Sequence, residues 1–349
     1  MVYSKSKRFL LAVAVTGALS AAGGIPVKAD DVSDFYHNRD VTVVVPAGPA
    51  GSFHLIGQIV ARHIGKHIPG HPTVIIQNRP GAGGVTASNY MANAAPRDGS
   101  VIAEMNPGTV IMPMMREVKF DPRKFAWLGV FTVRTYTIGV WHTVKATTLD
   151  DLRKTEVVMG SSGVGSLNYQ LPILMNHVLG TRFKVISGYK GGGSINLAME
   201  SGEVQGRGNF YSGYTAAKPE WLRDKLVRLL FTLGPRRPEL AHIPRLRPLF
   251  PEGEARQMYD LLEVAFNVGQ AFHLPPGVPH ARVVAMRAAF DAMLKDPELI
   301  ADCDRHRLTL RSRDHKYVEK VVDDAFRISP EVAHKLAHIL GMDGVKKKS

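Results

Sequence analysis

The sequence predicts an α/β fold in two lobes, each a mostly parallel sheet flanked by helices, with the chain crossing between the lobes twice. Three observations carry this. Short β-favouring runs alternate with helix-period stretches from Val41 onward. The alternation restarts after about residue 134 with its own set of small-residue loops. The chain then finishes in helices that need an already formed sheet to pack against. The economical solution leaves the first lobe near residue 133 and returns near 266. Lobe one is then 35–133 with 266–349, and lobe two is 134–265. Two crossings make a hinge, and two lobes with facing loops make a clamshell.

The first elements set the pattern. VTVVV at 41–45 is a short buried strand, ended by Pro46 and the small residues 47–52. From Phe53 the spacing is helical, with Ser52 expected as N-cap. TVIIQ (73–77) and SVIAE (100–104) are further strands, followed by the loops NRPGAGG (78–84) and NPGT (106–109). Residues 118–128 read as a mixed connector, and 135–141 as a strand. In the second unit a short helix at 148–154 precedes a strand at 157–160. The loop SSGVGS (161–166) feeds a helix at 167–179, and a strand at 183–187 precedes YKGGGS (189–194) and its helix. Strand-like runs follow at 204–210, 226–232 and 264–274, with 235–254 as a proline- and arginine-rich connector. Helices are expected at 279–294, 297–306, 314–328 and 330–340.

Composition bounds the setting. The chain has 349 residues, enough for two lobes with a large core. Lys5, Lys7 and Arg8 precede an apolar run at 9–22, and Val27-Lys28-Ala29 carries the small residues a signal peptidase reads. Residues 1–29 are therefore expected to be a cleaved signal peptide, and the mature protein to be periplasmic. The single cysteine, Cys303, leaves no disulfide and no N-terminal lipid anchor. Net charge is +13; removing Lys5, Lys7, Arg8 and Lys28 leaves +9. The basic residues are scattered without interleaved aromatics, which argues against nucleic acid and for a small anion or an acidic surface.

A strand ending in a small-residue loop that opens a helix points free N–H groups at the positive end of the helix dipole, a place for an anionic group. Residues 50–52, 81–84, 161–166 and 191–194 all fit, because small residues let a carboxylate approach the main chain. Other chemistries lack their parts. Val164 stands where a G-x-S-x-G elbow needs its last glycine. No phosphate-loop lysine follows a glycine loop, and Thr86 spoils a dinucleotide fingerprint. His63, His67 and His71 share a spacing of four, but Pro69 and Gly70 break the helix before the third. No catalytic, cofactor or metal site is read.

At QNRPGAGG (77–84) the sequence resembles the extracytoplasmic receptors of tripartite tricarboxylate transporters, the Bug family. The likeness extends to the P-x-x-P-x-G of the first loop, FDPRKFAWLG (120–129), GSSGVG (160–165), YKGGG (189–193), ESGEVQG (200–206) and PPGVP (275–279). The resemblance implies a type II periplasmic-binding fold without catalysis, which hands a small carboxylate to membrane permease subunits. It implies one carboxylate on Ala50, Gly51 and Ser52, with Gly83 nearby. A second contribution would come from Ser161, Ser162, Gly165 and Ser166, with Tyr189 and Gly191 close by, and Asn106 and Thr109 are candidates at the third strand end. Many relatives carry threonine and aspartate where this chain has Phe53 and His54, and an aspartate where it has Asn209, with Arg207 added. Losing acids and gaining a histidine and an arginine favours a more anionic ligand. A monomer is expected, and a ligand sensor serving a signalling partner is the alternative function.

Overall fold

The computed structural model describes Met1 and residues 29–343. The signal-peptide expectation rests on residues 1–29 and so falls almost wholly outside the described residues. Among those residues no helix is long and apolar enough to cross a membrane.

The chain begins with α1 (Ala29–His37), β1 (Val41–Val45), α2 (Ser52–Ile64), β2 (Val74–Asn78), α3 (Val85–Asn93), β3 (Val101–Glu104), α4 (Met112–Met115) and β4 (Ala126–Thr132). The middle holds β5 (Tyr136–Trp141), α5 (Leu149–Lys154), β6 (Val157–Ser161), α6 (Leu167–Leu179), β7 (Phe183–Ser187), α7 (Gly192–Glu200), β8 (Gly206–Phe210), α8 (Ser212–Thr215), α9 (Pro219–Arg223) and β9 (Val227–Leu233). It ends with α10 (Glu254–Val268), β10 (Gln270–Leu274), α11 (His280–Met293), α12 (Pro297–Arg305), β11 (Arg313–Asp314), α13 (His315–Ala325) and α14 (Pro330–Ile339).

Two sheets result. The first runs β11-β4-β10-β3-β1-β2 and so joins strands from both ends of the chain; the second runs β7-β6-β8-β5-β9. Both are mixed rather than mostly parallel. In the first, β1 pairs in parallel with β2 and β3, whereas β10 and β11 pair antiparallel. In the second, β6 is parallel to β7 and β8, and β5 is antiparallel to β8 and β9. Two of the antiparallel-paired strands, β5 and β10, directly follow the chain's two crossings between the sheets.

Local chemistry explains the elements that frame the cleft. Strand β1 is buried on both faces, so its valines need no alternation. Helix α2 lays Ile56, Ile59, Val60 and Ile64 on the sheet, each worth about 1.5–3 kcal/mol when fully buried. Gly57 lets the helix lie directly on Val45, whose Cγ2 would be 2.5 Å from an added Cβ. The short α5 is held by a capping box: Asp151 N–H donates to Thr148 Oγ1, while the Asp151 carboxylate accepts from the Thr148 N–H. Asp296, Asp314 and Ser329 cap α12, α13 and α14.

Two elements differ from the sequence reading. Residues 126–132 form the strand β4 rather than the end of a connector, and 254–268 form helix α10 rather than connector and strand. Helix α10 packs against α13 and α14 on one side and α6 on the other. Its polar residues Gln257, Asp260, Glu263 and Asn267 recur at helical spacing opposite the buried face.

Candidate ligand-binding cavity

The loops after β1, β2 and β3 meet the loops after β6 and β7 and the end of β8, and the two sets touch through main chain. Gly48 N–H donates to Lys190 O at 2.6 Å, Gly83 N–H to Ser162 O at 2.8 Å and Gly165 N–H to Ala82 O at 3.2 Å. Glycine makes this approach possible. At Gly83, with φ of 67°, an added Cβ would sit 2.6 Å from Ser166 N and 2.7 Å from Gly163 O. Between the loops lies a cavity of about 50 Å³.

Its walls present hydrogen-bond donors. Asn168 Oδ1 accepts from Ser162 N–H at 3.1 Å, from Ser161 Oγ at 3.0 Å and from Ser166 Oγ. Asn196 Oδ1 accepts from Arg207 Nη1 at 2.7 Å, and Asn106 Oδ1 from Gly108 N–H at 3.4 Å. A main-chain N–H and a guanidinium can only donate, so these contacts fix which way each amide points. All three asparagines line the cavity with their oxygens already engaged, leaving their NH₂ groups for a ligand. Helices α2, α6 and α7 also begin at this cavity, through Gly51 and Ser52, Ser166 and Leu167, and Gly191 and Gly192. Phe53, Tyr136 and Phe210 supply an apolar wall, with Tyr136 and Phe210 edge-to-face at 4.9 Å.

The charges are one-sided. Among the described residues, no acidic side chain lines the cavity, whereas Arg207 and Lys190 do. Arg207 is 4% exposed and spends Nη1 on Gly192 O (2.8 Å) and Asn196. Burial lowers its pKa from the ordinary arginine value, and the nearby Tyr214 and Tyr136 hydroxyls oppose that shift. Tyr189 contributes its ring; its hydroxyl donates to Glu203 at 2.6 Å, and burial followed by that bond pushes its pKa up to about 12. Behind the wall, Arg134 stacks on Phe210 at 3.6 Å and reaches Ser52 Oγ at 3.5 Å.

Of the residues singled out from sequence, Ala50, Gly51, Ser52, Phe53, Gly83, Asn106, Ser162, Ser166, Tyr189, Gly191, Arg207 and Asn209 line this cavity. Four lie outside the lining. His54 Nδ1 accepts from Asn78 Nδ2 at 3.2 Å, and that same amide donates to Ala47 O at 2.7 Å, so His54 braces the first loop from outside. Thr109 is fully buried, with its hydroxyl on Asn106 O at 2.6 Å. Ser161 is fully buried at the end of β6, with its Oγ between Asn168 and Gly163 N–H. Gly165 packs against Ala82 and Val85 of the opposite lobe. Gly51, not Ser52, is the N-cap of α2, and the Ser52 hydroxyl faces Arg134 instead. Sequence reasoning missed Asn168, Asn196 and, of the aromatic wall, Tyr136 and Phe210. Asn168 sits one residue inside α6, and Asn196 one turn into α7, where an asparagine carries no local signal of its own.

Two α/β lobes closing over a donor-lined cavity define a ligand-binding protein of the clamshell kind. The chain belongs to the tripartite tricarboxylate transporter family receptors, whose family model (TctC) matches residues 58–326. It is a solute-binding receptor, not an enzyme. It is 25% identical over 254 residues to the UPF0065 protein in the gbd 5′ region of Cupriavidus necator, spanning 70% of this chain and 74% of that one. Its fold is similar to the periplasmic binding protein BugD, with a TM-score of 0.71 at 19% identity over 88% of this chain and 99% of the other. It is also similar to MatC of Rhodopseudomonas palustris, solved with bound malate, with a TM-score of 0.67 at 18% identity over 86% and 99%.

Proposed function

We propose that this receptor captures a small organic anion, a di- or tricarboxylate or a related carboxylate, in the periplasm and delivers it to membrane permease subunits. Capture would close lobe 35–133 with 266–349 onto lobe 134–265. The observation that carries the reading is the cavity wall: donors, three helix N-termini and two cations, with no acidic side chain among the described residues. A carboxylate there receives several aligned donors in a site shielded from water. The ammonium of an amino acid would meet no counter-charge. Family membership supports transport over sensing, and malate bound to the structurally similar MatC supports the carboxylate class.

The test is thermal denaturation of the purified chain with a panel of mono-, di- and tricarboxylates and amino acids. A ligand at a hundred times its Kd adds about 2.7 kcal/mol of stability. For a chain of this size that raises the melting temperature by roughly 4 °C. Carboxylates are expected to produce the rise and amino acids to fall short of it. A panel in which no carboxylate moves the transition would refute the reading.

A further inference from the structure

We propose that Arg207 is the specificity-determining residue of this cavity, and that it takes a second anionic group so that the ligand must be at least a dianion. The inference rests on the carboxylate reading above and adds to it which side chain counts the charges.

The electrostatics argue for more than one negative group. Helices α2, α6 and α7 have 13, 13 and 9 residues, and all three open onto the cavity. Each N-terminus acts as about half a positive charge, together roughly one and a half. That is more than a single carboxylate neutralises, before Arg207 adds a full charge. The first carboxylate is served by the loop at Gly51 and Ser52. Gly51 lies against α7, where its added Cβ would be 3.1 Å from Gly193 N, so the α2 and α7 termini face one another.

Arg207 stands beside that junction. Both of its terminal nitrogens lie 3.3 Å from where a Cβ on Gly192 would be, and Nη1 is held by Gly192 O and Asn196 Oδ1. The guanidinium has no carboxylate partner among the described residues. Nη2 makes no hydrogen bond there, and neither does the neighbouring Asn209 Nδ2, which is sealed from solvent. A second carboxylate would receive the free edge of the guanidinium and the Asn196 amide, while the apolar wall of Phe53 and Phe210 contacts the carbon chain.

The experiment compares α,ω-dicarboxylic acids of three to six carbons with their monoamides by isothermal titration. Wild type, Arg207→Gln and Asn196→Asp would be measured. Asn196→Asp keeps the 2.7 Å contact as an ion pair and cancels the Arg207 charge without removing the side chain. Charged hydrogen bonds of this kind correspond to about 10- to 100-fold in affinity. Wild type is expected to prefer the best diacid over its monoamide by that factor. Both variants should lose the preference, the diacid losing at least about tenfold more affinity than its monoamide whatever the monoamide itself loses. A wild type that binds diacids and monoamides equally, or an Asn196→Asp protein that keeps the preference, would overturn this inference and leave the carboxylate reading standing. A wild type that binds neither series would overturn both.

Discussion

The lobes close glycine against glycine, and one substitution tests whether that contact sets affinity. Gly165 lies outside the positive-φ region, so Gly165→Ala adds no backbone strain inside its own lobe. Its Cβ would meet only the opposite lobe: Ala82 O at 2.8 Å, Val85 Cγ2 at 2.9 Å and Gly83 O at 3.1 Å. Restoring ordinary contact requires the loops to part by roughly half an ångström, enough to forfeit a quarter or more of the local dispersion. The Gly165 N–H bond to Ala82 O, already 3.2 Å, would pass out of hydrogen-bonding range, and Gly83 N–H to Ser162 O would weaken. One to two bonds at about 0.5–1.5 kcal/mol each amount to roughly 0.5–3 kcal/mol of closure energy. That is about 2- to 150-fold in Kd. Isothermal titration with the diacid that stabilises wild type most would measure it, alongside the melting temperature without ligand. An affinity within twofold of wild type, in a protein whose ligand-free melting temperature is unchanged, would show that closure does not depend on this contact.

Asn168→Asp retains every acceptor contact of the side chain, because the tied oxygen is kept, but replaces the free NH₂ with an anionic oxygen in the cavity. Ligand affinity should fall by tenfold or more with little loss of stability; unchanged titration would mean that the ligand does not meet Asn168. His273 provides a pH test. It lies on β10, 1% exposed, stacked on Phe125 at 4.2 Å, and burial lowers its pKa from 6.5 to about 4 against the opposing Leu274 carbonyl. The unfolded chain protonates first, so the cost is absent well above pH 6.5, grows as pH falls towards 4 and is constant below that. The loss is about 2 kcal/mol by pH 5 and about 3 kcal/mol by pH 4. Urea unfolding across this range, wild type against His273→Phe, should show that difference in slope; parallel curves would rule it out.

The site's frame was legible because its loops depend on local chemistry. Small residues between a strand and a helix announce themselves, and those of 50–52, 81–84, 161–166 and 191–194 all reach the cleft. Helix α10 was legible too, because Met258, Tyr259, Leu261, Leu262 and Phe266 are buried while Gln257, Asp260, Glu263 and Asn267 keep a polar stripe at helical spacing. What the sequence hid depends on distant partners. In β4 the glycine at 129, with φ of 151°, interrupts an otherwise β-favouring run. The asparagines carry meaning only through what turns their oxygens inward, and Arg207 is the partner that does so for Asn196. His54 drew attention through the resemblance, which implies an acid at that position in many relatives. One residue along a helix is about 100° of rotation, which turns it from the cavity towards Asn78.

Two buried arginines flank the cavity, and their surroundings bear on the charge the ligand must bring. Arg134 follows β4 at the crossing between the sheets, and burial lowers its pKa to about 9 against the opposing charge of Glu104 and the Tyr136 hydroxyl. Glu104, at the end of β3, is equally buried; burial raises its pKa well above the ordinary value, and Arg134 opposes the rise. Among the described residues no ion pair within 4 Å joins the two, and both Glu104 carboxyl oxygens and Arg134 Nε and Nη2 lack a hydrogen-bond partner, so a carboxyl whose ionisation burial disfavours gives Arg134 only a weak counter-charge. Arg134 lies behind the aromatic wall, stacked on Phe210, whereas Arg207 lines the cavity itself and also has no carboxylate partner among the described residues. Leaving a buried ion unpaired costs several kcal/mol even after relaxation, more than its contacts with Gly192 O and Asn196 return. Keeping this cation unanswered makes sense where the missing negative charge arrives with the ligand, and the strain of the empty pairing then becomes part of the affinity.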